Sequence, residues 1–155
     1  MLKAMLGTDK NPGQFLIRLA LGVVMLPHGA QKVLGWFGGP GYATTLAQFV
    51  ALGFPRWAVL LLMLTELGGG FFLLIGLLTR LWALAIGGAM VLCLWLNHVQ
   101  HGFFMNWSGQ QAGEGIEFHI LLLAISLALA LGGGGALSLD RRLAASRGRA
   151  SSLSF

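Results

Sequence analysis

The stretch from Trp57 to Asn97 is apolar almost without interruption. As one α-helix it would be about twice as long as the ~30 Å hydrocarbon layer of a bilayer, at ~1.5 Å per residue. The chain must therefore turn back on itself inside this stretch. Thr79-Arg80, shortly after Gly76, is the only plausible corner, so the sequence predicts a helical hairpin with a very tight turn. An apolar segment flanks the hairpin on each side, giving expected helices at about 14–35, 57–78, 81–97 and 116–132. The expected fold class is all-α, an integral membrane four-helix bundle over residues 14–143. Residues 1–13 form a cytoplasmic N-terminal segment in this reading. The small, polar and basic residues 144–155 read as a disordered cytoplasmic tail.

Composition agrees. Charged residues make up 10% of the chain and hydrophobic ones 56%, whereas soluble domains carry roughly 25% charged residues. The net charge of +5 raises the question of nucleic acid. The aromatics lie inside apolar runs rather than between the cations, which argues against a nucleic-acid groove. The basic residues instead follow membrane topology. Lys3, Lys10, Arg18, Arg80, Arg141, Arg142, Arg147 and Arg149 fall on one side of the four expected spans, and only Lys32 and Arg56 on the other. Both termini are therefore expected in the cytoplasm. The first span is expected to stay in the mature chain. Phe15–Leu26 has the length of a signal-peptide core, but Arg18 interrupts it, and His28 and Lys32 stand where small cleavage-site residues belong. The single cysteine, Cys93, rules out an internal disulfide and is expected to pack as a small apolar side chain.

Ionisable groups inside a bilayer are costly and turn toward the bundle interior. At 100° per residue, Arg18, His28 and Lys32 share one stripe of the first helix with Leu21 and Met25. Pro27 is expected to kink that helix and free the carbonyl of Val23. Glu66 falls near the middle of the second span, where a carboxylate must be protonated or paired. Gly68, Gly69 and Gly70 follow it and leave room for a helix or ligand to approach. His98 and His101 end the third helix and would share a face if it continued. Together with Glu117 and His119 at the start of the fourth, they could make a transition-metal set, or simply hydrogen-bond one another. Haem held by His28 and His98 is a further option, without an attachment motif to support it. Trp36, Phe37, Trp57, Trp95, Phe103, Phe104 and Trp107 gather toward the same outer end. They form an interfacial belt or the rim of a pocket for a flat molecule such as a quinone.

Arg18–Gly39 (RLALGVVMLPHGAQKVLGWFGG), Thr65–Gly70 (TELGGG), Gly76–Arg80 (GLLTR) and the glycine-rich exit before Ser138-Leu139-Asp140 resemble, in order and spacing, the DoxX family of small bacterial membrane proteins. The resemblance covers about 14–142. It implies a four-helix bundle in the bacterial cytoplasmic (inner) membrane and work in quinone-linked redox systems or resistance to quinone and oxidative stress. Its motif maps onto Arg18, His28, Lys32, Glu66 and Asp140. Arg18 and Asp140 are read as an ion pair fastening the chain's exit from the bundle. Glu66, His28 and Lys32 are the catalytic candidates, as proton carrier, ring-oxygen donor and anion stabiliser. His28, Gln31, Trp36, Glu66 and His98 are the cofactor-binding candidates, with a quinone the expected cofactor and metal or haem left open. The chain has no flavin or nucleotide fingerprint, so its electrons would come from a soluble or membrane redox partner. The other functional class is a non-enzymatic scaffold or small-solute carrier that uses the same polar residues to fasten helices or line a path.

The charge asymmetry makes a direct prediction. A reporter that is active only in the cytoplasm, fused after residue 155, should be active. The same reporter inserted at Gly109 should be silent, and activity at both places would refute the assigned topology.

Overall fold

The computed structural model describes residues 5–152 and contains no strand among them. The helices are α1 (Pro12–Leu34), α2 (Gly41–Ala51), α3 (Arg56–Ile75), α4 (Thr79–Asn97), α5 (Glu117–Gly132) and α6 (Leu139–Ser152), with single 3-10 turns at Trp36–Gly38 and Val99–His101. Helix α1 packs on α3, α3 on α4, α4 on α5, and α5 returns to α1. Three helices, α1, α3 and α4, are long and apolar enough to cross a membrane, and α5 is a shorter apolar helix. Their outward faces carry large exposed apolar side chains such as Leu16, Val23, Leu64, Leu84 and Leu121. Apolar surface of that extent suits lipid, not water.

Helix α1 starts where the Asn11 side chain accepts hydrogen bonds from the backbone N–H groups of Gly13 (2.8 Å) and Gln14 (3.3 Å), with proline in the first turn. It runs as one helix through Pro27 and stops at Gly35, whose φ of 70° only glycine adopts freely. The hairpin corner lies earlier than expected. Helix α3 ends at Ile75, Gly76 and Leu78 take positive φ, and Thr79 and Arg80 already belong to α4. The N–H groups of Gly76 and Leu77 bond back to the carbonyls of Leu73 and Phe72, so the turn satisfies itself.

Two segments depart from expectation. The connection between α1 and α3 contains helix α2. Its Leu46 packs with Val59 and Met63, alongside Val33, Phe49 and Phe54, and the Thr45 hydroxyl donates to the carbonyl of Lys32 at 3.2 Å. Helix α6 continues to Ser152 where disorder was expected from residue 144. It is rich in alanine and arginine, both good helix formers, and has Asp140 in its first turn. The last three residues of the expected tail lie outside the described residues.

The closest helix contact is between α1 and α3, and glycine makes it possible. A Cβ on Gly29 would lie 2.3 Å from the backbone nitrogen of Leu67, and one on Gly70 would lie 2.6 Å from the backbone nitrogen of Leu26. No side chain fits at either position without separating the helices. Gly29→Ala should therefore lower stability by at least about 1–3 kcal/mol. Gly88→Ala, with nothing within 4 Å of the added carbon, should leave it unchanged. Thermal unfolding of the two variants in detergent provides the comparison.

Candidate functional site

At the end of the helices near the hairpin corner, the buried charges are satisfied by backbone. Arg18 is fully buried. Its guanidinium donates to the carbonyls of Leu73, Leu74 (2.7 Å) and Gly134 (2.9 Å), with longer contacts to those of Ala136 and Leu137. Asp140 is not its partner. The Asp140 carboxylate accepts the N–H groups of Leu78 (2.6 Å) and Thr79 (2.8 Å), capping the start of α4. The expected ion pair is thus replaced by a cation on the last carbonyls of α3 and an anion on the free N–H groups that open α4. Arg80 treats α5 in the same way, donating to the carbonyls of Ala130 and Leu131 at 2.6 Å each.

The other end holds the candidate site. Lys32 Nζ and Glu66 Oε2 are 2.7 Å apart, and the Glu66 side chain is only 5% exposed. The close approach at Gly29 brings α1 near enough to α3 for this pair to form one turn later. The pair stands between two cavities. The larger, about 370 Å³, is bounded by α1, α4, α5 and the connection between the last two. The smaller, about 110 Å³, lies between α3 and α4 beneath Phe49 and Phe54. Lys32, Glu66 and Cys93 line both.

His28, Lys32, Glu66 and His98 all line the larger cavity, His28 while remaining exposed. Gln31 and Trp36 do not line it. The Gln31 amide reaches the Phe37 carbonyl at 3.5 Å across the turn that follows α1, and the Trp36 ring is largely exposed. The four-residue cluster expected at the outer end also divides. Helix α4 stops at Asn97, and His98 leaves helical geometry with φ −126°, so His98 and His101 share no helix face. The His98 ring turns to His119, with centroids 4.2 Å apart, and its Nδ1 lies 2.9 Å from the Glu114 carbonyl. His101 packs against Gly113, where an added Cβ would come within 2.5 Å of Nε2. Glu117 accepts the N–H groups of Met105 (2.9 Å) and Trp107 (indole, 3.4 Å), while Glu114 accepts that of Asn106 (2.7 Å). Both glutamates therefore brace the connecting loop.

The residue that sequence reasoning misplaced is Cys93. It lines the larger cavity, and its sulfur lies within 4.8 Å of one ring nitrogen of each of His98 and His119, which are equally close to one another. The available signal was the five-residue offset from Cys93 to His98, but it means nothing until the helix ends between them.

Long apolar helices with lipid-suited faces define a multi-pass membrane protein, and a mostly apolar cavity with a few polar groups lies between them. The DoxX family model matches residues 13–99, from the first turn of α1 to just past α4. Inner membrane protein YqjF of Escherichia coli (strain K12) is 37% identical over 134 residues, covering 86% of this chain and 94% of that protein. No solved structure matches the chain. The chain belongs to the DoxX family and is a multi-pass protein of the bacterial inner membrane.

The Lys32–Glu66 pair yields a stability prediction. Glu66→Ala strands a lysine in the bundle and should cost on the order of 3 kcal/mol, whereas Lys32→Met with Glu66→Met should recover most of it. A double-mutant cycle by denaturant unfolding in detergent measures the coupling.

Proposed function

We propose that the chain is a four-helix membrane bundle, with α1, α3, α4 and α5 as its spans and both termini cytoplasmic, that serves as a quinone-interacting subunit or module of a membrane redox system. The observation that carries this reading is the larger cavity, where an ion-paired acid and base and three imidazoles converge among apolar walls. Its volume of about 370 Å³ lies in the ~300–1,000 Å³ range of small-molecule sites. Apolar walls with a few polar groups suit a flat ring carrying two oxygens. The residues present therefore fit the headgroup.

His28 and Lys32 would hold such a ring by donating to an oxygen, and the positive charge of Lys32 would favour negative charge building there. Glu66, paired with Lys32, would take or release a proton within the bilayer. A bound quinone supplies the electron-accepting chemistry that the side chains lack. The electron donor belongs to a partner, since the sequence has no flavin or nucleotide fingerprint. His98 lines the same cavity, whereas Gln31 and Trp36 are removed from the candidate set by their positions.

Ubiquinone and menaquinone analogues titrated into purified protein should bind saturably. Affinity should fall at least about tenfold, the scale of one lost charged hydrogen bond, in Glu66→Gln and His28→Ala. Trp36→Ala should bind like the parent. Absence of saturable binding, or binding indifferent to both cavity variants, would sink the proposal.

A further inference from the structure

Cys93 comes from the last turns of α4, His98 from the residue that ends it, and His119 from the first turn of α5. Their donor atoms all lie within 4.8 Å of one another on the wall of the larger cavity. We propose that these three residues form a binding site for one thiophilic transition-metal ion, Cu(I) or Zn(II). The site makes no use of a quinone and stands whether or not one enters the cavity.

Three observations converge on a metal. His119 is 5% exposed, lines the cavity, and its Nδ1 is buried without a hydrogen-bond partner among the described residues. An imidazole nitrogen so placed is costly unless something accepts its lone pair or its proton. His98 is held in the way metal-binding histidines are held. Its Nδ1 donates to the Glu114 carbonyl, which directs the lone pair to Nε2 as a ligand. The two rings are 4.2 Å apart, so a single ion can reach a nitrogen of each together with the Cys93 sulfur.

The spacing is near what coordination needs. With bonds of about 2.3 Å to sulfur and ~2.0–2.1 Å to nitrogen, tetrahedral donors sit roughly 3.4–3.6 Å apart. Side-chain adjustment of about an ångström closes the present set onto that geometry. Binding displaces the thiol proton, leaving a thiolate on the ion. Thiolate with two imidazoles serves zinc. The buried methionines Met25 and Met90, together with Met105, line the same cavity and offer thioethers, which favour Cu(I). His119 also lies beyond residues 13–99, so the family match ends before this donor.

The test uses full-length protein, reduced and purified in detergent, titrated without oxygen with Cu(I) and separately with Zn(II) against a coloured chelator. One equivalent should bind in at least one arm, and the arm with the higher affinity identifies the ion. Cys93→Ser and His119→Gln should each weaken binding by more than about tenfold, while His101→Ala binds like the parent. Cys93 is the chain's single cysteine, so alkylation reads the site in the unaltered protein and needs no variant that folds. The bound ion should slow alkylation by a similar factor. Failure of both ions to bind stoichiometrically, alkylation unaffected by metal, or undiminished binding in Cys93→Ser overturns the site. None of these outcomes bears on quinone binding, which is measured separately on metal-free protein.

Discussion

The rest of the bundle depends on how closely α1 approaches α3. Gly29 sits on the backbone of Leu67 and Gly70 on that of Leu26, while Gly22 faces the carbonyl of Gly70. In lipid, helices gain nothing from burying apolar surface against each other rather than against acyl chains, so close packing must hold them. These glycines provide it, and their placement one turn below Lys32 sets the distance at which Lys32 meets Glu66. A wider crossing would leave the glutamate unpaired in the middle of a helix, where its charge could not persist.

The two ends of the bundle solve the problem of buried charge differently. Near the hairpin corner, Arg18, Arg80 and Asp140 are matched to helix termini, cations on spare carbonyls and the anion on spare N–H groups. Those residues are consumed by architecture. At the other end, Lys32 and Glu66 satisfy each other, and the nearby sulfur and imidazoles turn toward a cavity. Groups left facing space in this way are the ones available to a ligand. The proposed function uses the end where the backbone does not use up the polar atoms.

Sequence reasoning located what depends on local pattern and erred where partners come from afar. The apolar runs placed the long helices within a few residues, and the glycines after Glu66 announced a close neighbour. The sequence places the corner at Thr79-Arg80, after Gly76, whereas the structure turns earlier. The turn is made instead by the positive φ of Gly76 and Leu78, with Asp140 on the freed amides. Helix α2 was missed because its apolar residues gain a partner only when α1 and α3 present theirs. Arg18 and Asp140 were paired by charge, yet helix-end dipoles compete for both and are nearer. Gln31, still in α1, reaches the Phe37 carbonyl, and Trp36 lies in the turn after the helix, so neither lines the cavity with His28.

From its own order of residues, this chain determined that it enters a membrane, that its long apolar run doubles back, and that Glu66 and Lys32 must find partners. Those outcomes follow from the cost of exposing backbone and charge to hydrocarbon, which is paid residue by residue. Tertiary structure alone decided that Lys32 and Glu66 are each other's partner, and that His98 turns to His119 and not to His101. It also decided that Cys93 joins those two rings. Such choices depend on where helices end and how closely they cross, which distant glycines and capping groups set together.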